Sequence, residues 1–100
     1  MAGEPILIVD ETPLDLKLAR DLLVGEGYRV RTASSAEEAL EVLRTFQPAL
    51  VLADAAQTAR RITADPAARG ITVATLAEAG IAKPIDPRGF AERIRHFLEK

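Results

Sequence analysis

Two short apolar segments that end in a carboxylate constrain the fold of this 100-residue chain more than any other feature. Ile6 to Val9 is a continuous apolar run that stops at Asp10 and Glu11, and Ala49 to Ala53 is a second run that stops at Asp54. Uninterrupted apolar runs of this length are typical of strands that are buried on both faces, as in parallel sheets. We therefore predict two buried strands, each with an acidic side chain at its carboxyl end.

Segments with helical signals separate the predicted strands. Thr12 offers an N-cap hydroxyl, Pro13 suits the first helical position, and Asp15 follows three residues after the cap. Ser34 and Ser35 give a second N-cap signal. The predicted elements in chain order are a strand over 6–9, a helix from 12 to about 25, a strand over 28–32, a helix from 36 to about 47, a strand over 49–53, a short helix over 58–64, a strand over 71–75, a brief extended segment over 81–84 and a helix that opens at 86–87.

The alternation of strands and helices predicts one α/β domain over residues 1–100, with a parallel sheet covered by helices on both faces. In such sheets ligands bind beyond the carboxyl ends of the strands. Asp10, Glu11, Asp54 and Lys83 all follow predicted strands. If the first strand, the third strand and the extended segment before Pro84 are neighbours, these four side chains converge on one small site.

The chemistry of that site follows from its residue types. Three carboxylates in close proximity repel one another, so a cation is expected among them. Oxygen ligands without His or Cys suit Mg²⁺, and Asp10 with Glu11 form a pair suited to hold the ion together with Asp54. A carboxylate between a divalent ion and the Lys83 ammonium can attack a phosphoryl group, which makes Asp54 the candidate nucleophile.

Composition excludes several other classes of protein. Thirteen Lys and Arg against 15 Asp and Glu give a net charge of -2, which argues against a nucleic-acid surface and hence against a direct nucleic-acid partner. The chain has no cysteine, so it has neither disulfides nor thiolate metal sites. No apolar run approaches the length of a membrane span, and no signal peptide precedes Pro5. We expect a cytoplasmic protein without a membrane partner.

An ordered set of motifs runs along most of the chain, with helices between them. These motifs are Ile6-Leu-Ile-Val-Asp10-Glu11, Gly27-Tyr28, Pro48-Ala-Leu-Val-Leu-Ala-Asp54, Ala64-Asp65-Pro66 and Lys83-Pro84-Ile85. In this set the sequence resembles the receiver domains of two-component response regulators, the CheY-like family.

The resemblance implies a flavodoxin-like doubly wound parallel sheet and a signalling function rather than an enzyme. Asp54 would be the phosphoacceptor, Asp10, Glu11 and Asp54 would position Mg²⁺, and Lys83 would contact the phosphoryl oxygens. A sensor histidine kinase or phosphotransfer protein would supply the phosphoryl group, and a downstream protein would read it. The Lys83–Pro84 peptide bond would be a candidate for the cis isomer.

The second half of the chain departs from the family pattern. Leu76 to Gly80 provides five residues where a parallel crossover needs a dozen or more, so a fourth full helix cannot fit. The fold should therefore be truncated or rearranged between the fourth and fifth strands. The last strand could reverse, the region from Ile71 to Gly80 could be irregular, or the chain could dimerise or swap its end with a neighbour. The family's switch hydroxyl falls on Thr75 only if the strand is shortened.

The sequence is compatible with three alternative roles for the acidic residues and the domain. The acidic residues could simply cap helices, where carboxylates are favoured by the helix dipole. The domain could be a degenerate receiver that acts only in protein interaction or dimerisation. Asp10 could also be the nucleophile of a small phosphatase, although Glu11-Thr12 does not supply the second aspartate that such enzymes place two residues on.

Overall fold

The structure, a computed structural model, describes residues 3–99 and contains four strands and four α-helices in that range. Strands and helices alternate from β1 to β4, as the sequence predicts. The elements are β1 (Pro5–Val9), α1 (Pro13–Gly25), β2 (Arg29–Ala33), α2 (Ala36–Val42), β3 (Leu50–Ala53), α3 (Ala56–Thr63), β4 (Thr72–Thr75) and α4 (Phe90–Leu98), with a 3₁₀ turn over Pro66–Ala68. None of these helices is long and apolar enough to cross a membrane.

All four strands are parallel and form one sheet in the order β2-β1-β3-β4. The register pairs Val9 with both Ala33 and Ala53, and pairs Ala53 with Thr75. The carboxyl ends of neighbouring strands are therefore level with one another. Because Asp10 follows Val9 and Asp54 follows Ala53, the two aspartates lie side by side at this edge of the sheet.

Helices cover both faces of the sheet, which confirms the doubly wound, flavodoxin-like fold class. Alternate strand residues belong to opposite cores, because successive side chains of a strand point to opposite faces. Ile6 and Ile8 pack in a core with Leu23 of α1 and Ile94 of α4. The second core, on the other face, is formed by Leu7, Val9, Ala33, Ala36, Ala39, Leu43, Val51, Ala53, Ala59, Ile62 and Ala68.

The beginnings of the first two helices differ in how they are capped. Helix α1 starts at Pro13 as predicted, but the Thr12 side chain makes no capping hydrogen bond. Instead the Thr12 amide donates to Asp10 Oδ1 over 2.9 Å, so the acidic residue before the helix satisfies this amide. At α2 the predicted cap is confirmed, because Ser35 Oγ accepts a hydrogen bond from the Glu38 amide over 3.1 Å.

Several helix boundaries move relative to the prediction. Helix α2 ends at Val42 rather than near Pro48. Directly after it the chain forms a tighter turn, in which the Thr45 amide donates to the Val42 carbonyl. Helix α3 begins two residues earlier than predicted, at Ala56. Helix α4 begins at Phe90 rather than at 86–87. The reason is a local turn, in which Asp86 Oδ1 accepts the Arg88 amide over 3.0 Å.

The expected fifth strand does not form within residues 3–99, where the sheet ends at β4. The neighbour relation on which the converging site depends is met in part: β1 and β3 pair in parallel, whereas residues 81–84 form no strand beside them. The chain leaves β4 through a turn over Leu76–Gly80, in which the Ile81 amide donates to the Leu76 carbonyl over 2.9 Å. Gly80 closes this turn with a φ of +80°, a conformation that other residues rarely adopt.

The segment over residues 81–85, which follows this turn, is held in place by apolar burial instead of strand pairing. Ile81 and Ile85 are buried in the core that also contains Phe90 and Ile94 of α4. The absence of a fourth crossover helix is thus confirmed, and the irregular segment takes its place without a reversed strand. The Lys83–Pro84 peptide bond within this segment is cis, as the resemblance implied.

Candidate functional site

Lys83 lies at the carboxyl edge of the sheet although it is not part of a strand. Its Nζ is 2.8 Å from Asp10 Oδ2, 3.1 Å from Asp10 Oδ1 and 3.0 Å from Asp15 Oδ2. Asp10 is only 3% exposed, whereas the Lys83 side chain is 35% exposed. The ammonium therefore bridges a buried carboxylate at the end of β1 and a partly buried one in the first turn of α1.

The protonation of Lys83 reflects this position. Partial burial by itself would lower the pKa of the ammonium, but the hydrogen bonds to Asp10 and Asp15 and the charges of those carboxylates raise it. The net result is a pKa above the ordinary lysine value. Lys83 is consequently a fixed positive charge across the physiological pH range.

Asp54 has a more open environment than Asp10. Its amide donates to the Val9 carbonyl over 3.0 Å, which holds the backbone beside β1. Its Oδ2 accepts only a long, 3.4 Å hydrogen bond from the Glu11 amide, and within residues 3–99 the side chain forms no ion pair. Of the two aspartates at this edge, Asp54 is the one whose carboxylate remains accessible for reaction.

A cavity of about 570 Å³ opens beside Asp54 between the amino-terminal ends of α2 and α3. Glu11, which is exposed, lines this cavity together with the Asp54 carboxylate. The remaining lining residues are Val9, Ser34, Ser35, Ala36, Glu37, Ala55, Gln57, Thr58 and Arg61. The space is open and largely polar, so aliphatic packing does not fill the region next to Asp54.

The predicted metal ligands are close in the fold but are not arranged as a ready-made site. In the described part of the chain no three acidic, His or Cys residues form a group that could hold a metal ion. Both oxygens of Asp10 are engaged, by Lys83 and by the Thr12 amide. The donors Asp10, Glu11 and Asp54 are hard oxygen ligands that suit Mg²⁺. The residue types therefore fit the ion, and Lys83 competes with it for the Asp10 oxygens.

The chain is similar in sequence to some response regulators and in fold to others. Polar-differentiation response regulators DivK of Brucella ovis and Brucella suis are 28% identical, over 93% of this chain and 94% of theirs. The chemotaxis response regulator CheY4 of Vibrio cholerae superposes with a TM-score of 0.77 at 14% identity, over 95% of this chain and 98% of CheY4. A putative response regulator of Chloroflexus aurantiacus also superposes with a TM-score of 0.77 at 21% identity, covering 98% and 99%. No protein-family model matches the sequence.

The fold is that of a CheY-like receiver domain. The resemblance inferred from the acidic strand ends is thus confirmed, including its abbreviation after β4.

Thr75 occupies the end of β4 in this receiver fold, but its side chain takes part in a local turn. Its Oγ1 accepts the Glu78 amide over 3.1 Å, while its own amide donates to Glu78 Oε1 over 2.8 Å. This reciprocal pair satisfies backbone groups where the sheet has no further strand. The Thr75 hydroxyl, which is the candidate switch hydroxyl of the sequence analysis, therefore helps to form the turn that replaces the crossover helix.

Two features of the site were not found by sequence reasoning. The sequence indicates only a helix-start carboxylate at Asp15, yet Asp15 is the second anion that contacts Lys83. Arg61 of α3 lines the cavity beside Asp54 and forms an ion pair with Glu37 of α2. No local pattern marks Arg61, because the helix that carries it meets α2 only in the folded sheet.

Proposed function

We propose that this domain is a phosphorylation-dependent receiver of a two-component system, in which Asp54 accepts a phosphoryl group with the help of Mg²⁺. The observation that carries the proposal is the convergence at one sheet edge. Asp10 and Asp54 follow strands that pair in register, and Lys83 Nζ is 2.8 Å from Asp10. An accessible carboxylate beside this charge pair is the arrangement that phosphoryl capture requires.

In the proposed step a carboxylate oxygen of Asp54 forms a bond to phosphorus. The bond between phosphorus and the oxygen or nitrogen of the donor breaks, and its electron pair leaves with the donor. Mg²⁺, when bound, would offset the negative charge on the transferring oxygens. Asp10 and Glu11 would hold the ion with Asp54, and the Lys83 ammonium would supply a second positive charge once it releases Asp10.

The proposed partners follow from this role. A sensor histidine kinase or phosphotransfer protein would donate the phosphoryl group, and a downstream protein would recognise the product. The net charge of -2 supports a protein partner rather than direct nucleic-acid binding. We include a cytoplasmic location in this proposal, because phosphotransfer from such kinases takes place there.

Incubation with a small phosphodonor tests the proposal directly. We expect a Mg²⁺-dependent adduct with the mass of one phosphoryl group, stable in acid and labile in alkali, in the unmodified chain. Asp54→Asn should abolish the adduct, whereas Asp86→Asn, a change at an exposed carboxylate that pairs with Arg88, should leave it intact. No adduct at saturating donor and Mg²⁺ would refute the proposed phosphoacceptor role.

A second candidate is a degenerate receiver that acts only in protein interaction or dimerisation. Two observations favour it: Lys83 already neutralises Asp10, and in residues 3–99 no strand covers the outer edge of β4. For this function Mg²⁺ should leave thermal stability unchanged, because an ion that does not bind cannot stabilise the folded state. Light scattering should then show an oligomer whose size does not respond to the phosphodonor.

A further inference from the structure

We infer that Arg61 is a further cation, besides Lys83, that contacts a phosphoryl group on Asp54, and that its departure from Glu37 reports phosphorylation on the surface formed by α2 and α3. The inference rests on the proposed function and extends it to the residues that would read the signal. It starts from the cavity beside Asp54, which is lined by Asp54, Arg61 and Glu37 together. A group attached to Asp54 would therefore enter a space that already contains a guanidinium.

The charge distribution around Asp54 calls for such a cation. A phosphoryl group carries about −1.5 to −2 charges at neutral pH in place of the single carboxylate charge of Asp54, and it brings three strong acceptor oxygens. Lys83 is already hydrogen-bonded to Asp10 and Asp15, and within residues 3–99 it forms no ion pair with Asp54. One ammonium would thus be shared among several anions, whereas Arg61 pairs with one carboxylate, that of Glu37, among the residues that the structure describes.

The Arg61–Glu37 pair is suited to exchange partners. Both side chains are more than half exposed, at 60% and 63%, and exposed ion pairs are weak because water screens them. A guanidinium presents a planar fork of donors that matches phosphoryl oxygens in a bidentate arrangement. The phosphoryl group would also repel the Glu37 carboxylate on the same cavity wall. Both effects shift Arg61 from Glu37 towards Asp54.

The consequence lies at the contact between α2 and α3. Glu37 is in the first turn of α2 and Arg61 is in the last turn of α3, so their ion pair joins the two helices. Transfer of Arg61 would open this link and leave the Glu37 carboxylate without its cation. This readout does not need Thr75, whose Oγ1 accepts the Glu78 amide.

Beryllium fluoride with Mg²⁺, a stand-in for the phosphoryl group, allows the inference to be tested on the full chain. Isothermal titration calorimetry should show that Arg61→Gln weakens binding about tenfold, as expected for the loss of a charge-assisted contact. Glu37→Gln should instead tighten binding severalfold, because Arg61 is then free before the probe arrives. A bridge with a purely structural role would not give opposite effects for its two partners.

Controls separate this inference from the proposed function. Arg60→Gln removes a neighbouring exposed arginine that does not line the cavity, and it should bind like the unmodified chain. The Arg61 Nε resonance should shift on binding and should not shift in Asp54→Asn. Binding that is abolished by Asp54→Asn but unaffected by Arg61→Gln overturns the inference and leaves the phosphoacceptor role intact. Failure of the unmodified chain to bind the probe overturns both.

Discussion

Replacement of Lys83 by methionine tests the physical basis of the site, because it removes the ammonium and keeps an unbranched side chain. The lysine makes contacts of 2.8 and 3.1 Å with Asp10, which is 3% exposed. Without Lys83 this carboxylate would remain buried with no cation. Removal of one partner from a fully buried pair costs about 3–5 kcal/mol.

The expected cost here is smaller than that upper range. Lys83 is 35% exposed, so water can approach Asp10 when the ammonium is gone, and the Thr12 amide still donates to Asp10 Oδ1. We expect the free energy of unfolding to fall by about 1–3 kcal/mol in metal-free buffer at pH 7. Urea denaturation followed by far-ultraviolet circular dichroism measures this difference, and the slope against urea should not change.

Two comparisons complete the experiment. Lys17→Met breaks an exposed pair with Asp21 and should change stability by less than about 0.5 kcal/mol. Mg²⁺ should stabilise Lys83→Met more than the unmodified chain, because the ion no longer competes with an ammonium for Asp10. Equal stability of Lys83→Met and the unmodified chain in EDTA would refute the assignment of Lys83 as the counter-ion of a buried charge.

Three further predictions concern stability. Because folding raises the pKa of Lys83, its stabilising contribution is complete below the unfolded-state pKa of about 10.4 and is lost as the pH rises through the higher folded-state pKa. Chemical denaturation above pH 10 should show this loss of stability. Lys83→Met should lack the part of the loss that comes from Lys83. Ser35→Ala removes the acceptor for the Glu38 amide and should cost about 1 kcal/mol in urea denaturation, while a Ser35→Gly loss of only a few tenths would agree with a capping role. Ile62→Ala leaves a cavity at a fully buried position of the second core and should cost about 2–5 kcal/mol, so a loss below 1 kcal/mol would contradict its place in the core.

Local sequence patterns predict those parts of the fold that depend on burial. The apolar run before Asp10 predicts β1, and the run before Asp54 predicts β3, because a strand buried on both faces has to be apolar throughout. The structure confirms both strands and pairs them in parallel register. Helix positions were also predicted, although boundaries such as the end of α2 at Val42 moved by several residues, since end turns depend on local hydrogen bonds and packing.

Two features can be read from the amino-acid order: acidic side chains follow two buried strands, and no crossover helix fits after Thr75. The pairing of the charges emerges only in the folded protein, where Lys83 contacts Asp10 and Asp15, and Arg61 contacts Glu37 beside Asp54. It also decided that the segment before Pro84 packs as an irregular return rather than as a strand. This difference arises because the local spacing of apolar residues indicates which positions are buried. An ion pair depends instead on the distance between segments that only the packed sheet brings together.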